Sequence, residues 1–167
     1  CVISWPGKIP AATVCNRMAS TIDLLPTIAH LSGAPLSGKK IDGVNIWPLL
    51  QGDPKANPRD EFVYYYGKNN LEAIRKGPWK LVFPHRSRTN KIIPPGKDGF
   101  PVPDGTAEIP LALYDLSADP GETLDVQSSN PETLKTLQEL ADKYRQDLGD
   151  DLQNIKGTGK REPAHLK

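Results

Sequence analysis

Asp115, Asp119, Glu122 and Asp125 crowd the stretch ALYDLSADPGETLDV, around the pair Pro120-Gly121. Carboxylates at that density raise calcium binding as the first chemistry to weigh. A calcium loop sets oxygen ligands at alternating positions and closes on a Glu at a fixed distance. The spacing here does not supply that order. Pro presets φ for the second position of a turn, and Gly accepts φ > 0 at the third. The stretch therefore reads as a turn between an apolar strand and a capped helix, with its acids in turn and cap roles. No pair of His or Cys has zinc-ligand spacing.

A second cluster is FPHRSRTNK, where His85, Arg86, Arg88 and Lys91 leave the end of an apolar strand. Forked guanidinium donors match oxyanions, and a histidine adds a hydrogen bond that responds to acidic pH. These residues open a polar, Pro/Gly-rich excursion from His85 to Ala107. Loops longer than roughly 12–15 residues without structure are functional or disordered. Two readings stand: a ligand-contacting loop, or a solvated basic loop with His85 packed on Pro84. In Tyr64-Tyr65-Tyr66, alternation sets Tyr65 on the face opposite its neighbours. One face is then available to a sugar ring, or the strand is simply half-buried. His30 falls at a helix end, where it satisfies the last carbonyls. His165 in the tail carries no signal.

The chain that must position these residues has 167 of them, enough for one domain or one small domain and part of another. Lys+Arg 21 against Asp+Glu 20 gives a formal net charge of +1, which argues against general affinity for nucleic acid or anionic membrane. No apolar run approaches the roughly 20 residues of a membrane span. Pro 17 and Gly 14 imply many turns. The chain opens on CVISWPGKIP, which reads as a strand already under way, Val2 to Trp5, and suggests a cut through a larger protein. Cys1 and Cys15 either pair across a short hairpin or stay unpaired.

STIDLLPTIAHLSG predicts a helix capped near Thr21 to Asp23, with Pro26 in its first turn and Gly33 as its left-handed stop. Leu24, Leu25, Ile28 and Leu31 form its apolar stripe. IDGVNIWPLLQG follows as a turn and an apolar anchor. Period-2 patterns then predict strands over 61–66, 71–75, 79–83 and 111–116, with a hairpin at Lys76-Gly77-Pro78. Trp79 reads as core; Arg75 and Lys80 read as facing solvent or a neighbouring domain. Asn130 caps a helix with Pro131 at its first position, and Leu134, Leu137, Ala141, Tyr144 and Leu148 share one face of it. The tail from Gly149 reads as polar and weakly structured.

The words ISWPGKIP, STIDLLPTIAHLSG, IDGVNIWPLLQG, LEAIRKGPWKLVFPH and ALYDLSADPGE occur in this order. Together they resemble the C-terminal part of sulfatases of the arylsulfatase A and N-acetylgalactosamine-6-sulfatase type, of the alkaline-phosphatase-like superfamily. The resemblance runs from Val2 to about Asp150. It implies an α/β fragment joined to an α+β unit. Residues 1–52 would be the last strand and helix of a large α/β catalytic domain, and 53–60 a linker. Residues 61–150 would be a small antiparallel sheet of about four strands with one packed C-terminal helix, and 151–167 a polar tail.

Catalysis in that family uses a formylglycine made in a C/S-x-P-S-R motif, with calcium held by acidic residues and Asn. Cys1 is followed by Val-Ile-Ser-Trp and Cys15 by Asn-Arg-Met, so neither matches. The expectation is a fragment with no catalytic or metal-ligating residue of its own, inactive alone. Its parent would hydrolyse aryl or sugar sulfates by metal-activated attack on sulfur. The implied partners are the remainder of the catalytic domain and the sulfate ester. A periplasmic, secreted or lysosomal setting goes with the family. His85, Arg86 and Arg88 are the candidate substrate contacts. A non-enzymatic carbohydrate-binding module, and a phosphate or phosphonate hydrolase of the same superfamily, are the alternatives.

Overall fold

The computed structural model describes residues 1–89, 96–98, 100 and 105–161, which fall in two compact units, Cys1–Asp60 and Glu61–Lys167. Each is described by itself.

In the first unit, a 3-10 turn over Thr21–Asp23 leads into helix α1, Leu24–Ser32. Pro26 lies in the first turn, and Gly33 ends the helix at φ 69°, the left-handed conformation expected of it. Asp23 is fully buried and organises the unit. Its carboxylate accepts from Ser20 N at 2.8 Å, Val44 N at 2.9 Å and Arg59 Nε at 3.0 Å, and also pairs with Arg59 Nη2. Thr27 Oγ1 donates to Asp23 O at 2.7 Å and accepts from Ile46 N at 3.0 Å. That fastens the short helix α2, Trp47–Leu50, in which Leu49 is buried together with the preceding Ile46. A Cβ at Gly43 would collide with the Ile22 carbonyl, so only glycine permits this approach.

The expected strand over Val2–Trp5 does not form, and Val2 is 97% exposed. A strand needs a neighbour for its N–H and C=O groups, and no residue described in this unit pairs with it. The α1 stripe is likewise exposed at Leu24, Leu25, Ile28 and Leu31, while Pro26, Thr27 and Ala29 are buried.

The second unit holds a four-stranded antiparallel sheet in the order β1-β2-β3-β6 and a separate two-stranded ribbon, β4-β5. The strands are β1 Glu61–Tyr66, β2 Asn70–Lys76, β3 Trp79–Val82, β4 His85–Thr89, β5 Gly105–Ile109 and β6 Ala112–Asp115. Helix α3, Pro131–Leu148, packs on one face of the sheet. Leu71, Ile74, Leu81, Phe83 and Leu113 meet Leu137, Leu140 and Ala141 in one core, with Val63, Tyr65, Trp79, Leu134 and Tyr144 around it. The sheet and helix expected from period-2 and helical patterning are thus present. Asn130 caps α3 differently than expected: its side chain donates to Val126 O at 3.0 Å instead of accepting from the helix.

Two expectations fail here. The segment after Gly149 is a clasp rather than a loose tail, as far as Arg161. Thr158 N donates to Gln146 O at 3.0 Å and Gly159 N to Asp147 O at 2.7 Å, over the end of α3. Buried Asp150 accepts from Leu71 N, Leu152 N and Arg145 Nε at 3.2, 3.0 and 2.9 Å. His165 lies outside the described residues. The excursion from His85 is not a loop throughout, since His85–Thr89 pairs residue for residue with Gly105–Ile109. β4 carries no apolar stripe and β5 only Ala107 and Ile109, so hydrophobic periodicity gives little signal.

Candidate functional site

The sheet face away from α3 is concave. β1 places Phe62 and Tyr64 on it, edge to face at 5.0 Å between ring centroids, while Val63 and Tyr65 turn to the core. Pairing jumps from Tyr64↔Ala73 to Tyr65↔Leu71, which leaves Glu72 as the extra residue of a β-bulge. The bulge sets Glu72 beside the start of β4. There His85 Nε2 lies 3.3 Å from Glu72 Oε2, and Nδ1 lies 2.7 Å from Phe83 O. Both ring nitrogens face oxygen acceptors, which fixes the orientation of the ring.

On β3, Lys80 projects onto the same face. Its Nζ is 2.6 and 2.8 Å from the two oxygens of Glu122 and 5.1 Å from the centroid of the Tyr64 ring. Glu122 has φ 53°, so the left-handed position of the turn falls one residue after Gly121, where it had been expected. The resulting cavity of about 590 Å³ is lined by Tyr64, Glu72, Lys80, His85, Ser87 and Glu122, with Phe62, Val82 and Ile109 as apolar wall.

β4 divides the residues singled out by sequence. His85 and Ser87 face the cavity; Arg86 and Arg88 point outward and are exposed. Arg86 Nη2 donates to Thr106 Oγ1 at 2.8 Å, and Nε is 3.9 Å from Glu108 Oε1. The three candidate contacts are therefore not one cluster: alternation separates the histidine from the arginines. His85 is held by the Glu72 carboxylate and the Phe83 carbonyl. Lys91 lies outside the described residues. Sequence reasoning missed Glu72 and Glu122. The first depends on a bulge that no periodicity marks, and the second was read as turn chemistry.

The acids of the 115–125 segment are hydrogen-bond acceptors for nearby backbone. Asp115 accepts from Ser117 N at 3.0 Å and Ser117 Oγ at 2.6 Å, which lowers its pKa. Asp119 accepts from Leu124 N and Thr123 N at 2.8 and 2.6 Å, and its pKa also falls. At Asp125 burial raises the pKa, but donors from Leu113 N and Gln127 N at 3.0 Å outweigh it. Burial, then the nearby Asp125, Glu122 and Asp119 charges, push Tyr114 up. Among the described residues no three His, Cys, Asp or Glu side chains converge as a metal site. Cys1 and Cys15 are both free and exposed, not paired. No helix of the described residues is long and apolar enough to cross a membrane.

The second unit is thus a four-stranded antiparallel sheet with one long helix on one face and a two-stranded ribbon beyond its third strand. A structure of PsFucS1 sulfatase from Pseudoalteromonas sp. matches 84% of this chain with 28% of its own, at TM-score 0.65 and 18% identity, a likeness of fold. Residues 58–164 match the family described as the C-terminal region of aryl-sulfatase, and the chain belongs to that family. Human arylsulfatase A is 36% identical over 144 residues, which is 81% of this chain and 28% of the relative. Human steryl-sulfatase is 32% identical, over 88% of this chain and 28% of the relative. Canine N-acetylgalactosamine-6-sulfatase is 31% identical, over 81% and 27%. The chain thus spans little more than a quarter of the length of these relatives.

Proposed function

We propose that this chain is the C-terminal portion of a sulfatase whose complete form hydrolyses sulfate esters of sugars or aryl alcohols. The observation that carries the reading is the family match over 58–164, supported by relatives that are themselves sulfatases. The family's formylglycine and calcium belong to the complete enzyme. The described residues here do not fit a calcium ion, because Asp115, Asp119 and Asp125 already accept hydrogen bonds from neighbouring main-chain and side-chain donors. No chemical step is assigned to this chain.

Its part in the reaction is to shape the mouth of the site. Arg86 and Arg88 lie two positions apart on one face of β4, their backbone positions about 7 Å from each other along the strand. Sulfate groups on a saccharide are complementary to them. Among solved relatives, Ps i-CgsB is known in complex with k-i-k-neocarrahexaose; it is 25% identical, with a TM-score of 0.58, and covers 86% of this chain and 28% of its own. A saccharide is accordingly the substrate class proposed here, with the rest of the catalytic domain as the obligatory partner. The test compares the complete protein on an aryl sulfate and the matched aryl phosphate. Preferential sulfate release is expected; a preference for the phosphate would place the parent among the phosphohydrolases of the superfamily.

A further inference from the structure

We propose that the cavity on the open face of the sheet binds an uncharged, hydroxyl-rich sugar unit, at a site separate from the outward arginines of β4. Two independent backbone irregularities serve this one cavity. Glu72 reaches it from the bulge in β2, and Glu122 from a left-handed φ of 53°. Bulges and left-handed non-glycine residues persist where the surrounding structure holds them, and they collect at functional sites.

The cavity's chemistry selects the ligand. Its volume of about 590 Å³ suits one or two pyranose rings. Its lysine, Lys80, is already paired with Glu122, and the His85 ring lies 3.3 Å from the Glu72 carboxylate. The lysine's charge is thus balanced before any anion arrives, and the two carboxylates oppose a sulfate. Each carboxylate keeps acceptor capacity for hydroxyls, and the Tyr64 and Ser87 hydroxyls both donate and accept. Lys80 sits over the Tyr64 ring. The sugar is therefore held by hydrogen bonds and by C–H contact with the Phe62, Val82 and Ile109 wall, not by stacking on Tyr64. The alternation of β4 completes the division: the His85 and Ser87 side meets neutral hydroxyls, the Arg86 and Arg88 side meets anions.

This inference goes beyond sulfate hydrolysis and is read without turnover. The complete 167-residue chain, isotope-labelled, is titrated with cellohexaose, a desulfated galactan hexasaccharide and the sulfated form of the latter. Saturable amide shifts around Tyr64, Glu72 and Lys80 are expected with at least one neutral hexasaccharide, and binding at those amides about tenfold weaker or more with the sulfated one. Tyr64→Phe, which removes only a hydroxyl, and Glu122→Gln should each weaken the neutral ligand by about threefold to tenfold. Arg86→Gln should leave it unchanged. The proposal fails if neither neutral hexasaccharide gives saturable shifts, or if the sulfated form binds the same amides equally well. It fails too if Tyr64→Phe and Glu122→Gln, both with well-dispersed spectra, bind like the parent chain. None of these results bears on whether the complete protein releases sulfate.

Discussion

Asp23 is a carboxylate with no exposed surface, held by two main-chain donors and the Arg59 guanidinium. Burial raises its pKa, but the hydrogen bonds from Arg59, Val44 and Ser20 outweigh that and hold it below the ordinary aspartate value. Removing one partner of such a pair strands the other, at a cost of about 3–5 kcal/mol. Asp23→Ala should therefore lower the denaturant midpoint of the first unit at neutral pH. Because the folded pKa lies below the unfolded one, the carboxylate's contribution is complete above the unfolded value of 3.8 and is lost as pH falls through the folded value. The gap between native protein and Asp23→Asn in denaturant midpoint should accordingly narrow only below about pH 4.

Tyr65 marks the opposite edge. Burial first, then the Asp150 charge, push its hydroxyl up to about 12, and it donates to Gly149 O at 2.8 Å. A raised pKa gives stability that is present below pH 10 and lost as pH rises toward 12. Tyr65→Phe should cost about 0.5–1.5 kcal/mol at pH 7, and should flatten the alkaline loss between pH 10 and 12. An unchanged alkaline slope would remove Tyr65 from that role. At Arg86 and Arg88, alanine substitution in the complete enzyme should weaken a sulfated saccharide by about 1–3 kcal/mol. A small aryl sulfate should be affected much less. Equal, near-zero effects on both substrates would leave this face of β4 a solvated surface.

Among the elements, the legible ones announce themselves by period. β1, β2, β3 and β6 carry alternating or continuous apolar residues and a Gly77 turn, and α3 carries Leu137 and Ala141 on its buried face behind Pro131. Those patterns state which face is buried, so the sheet-and-helix unit could be read in advance. The β4-β5 ribbon could not, because His-Arg-Ser-Arg-Thr pairs with Gly-Thr-Ala-Glu-Ile through main chain and polar side chains, without a buried apolar face. The C-terminal clasp was equally silent. It rests on glycines whose role is absence of bulk: a Cβ at Gly157 would strike Gly149 N and Leu148 C. Gly157→Ala should destabilise the second unit by about 1–3 kcal/mol. Amides near Leu71 and Arg145, which share Asp150, should lose protection first. The candidate site was half legible for a related reason. Its cationic residues stand out in sequence, but the bulge that delivers Glu72 and the turn that delivers Glu122 appear only once strands are paired.

Taken whole, the chain has one unit with its own two-sided packing and another without it. The Glu61–Lys167 unit buries a shared sheet and helix core. The Cys1–Asp60 unit leaves Leu25 and Ile28 each 61% exposed on α1. Covering large apolar side chains is worth about 1.5–3 kcal/mol each, so this face favours association. At raised concentration the isolated chain should self-associate, and Leu25→Glu with Ile28→Lys should restore a monomer in sedimentation. A native chain that stays monodisperse, with slow exchange throughout α1, would contradict that.

On the function proposed above, this chain shapes a sulfatase's site and does not supply its catalyst. The most direct measurement is turnover of a chromogenic aryl sulfate, with calcium present, by the 167-residue chain alone and by the complete protein that contains it. Sulfate release by the complete protein is expected, and none above background by the chain alone. Turnover by the chain alone, abolished by substituting one of its own residues, would contradict it.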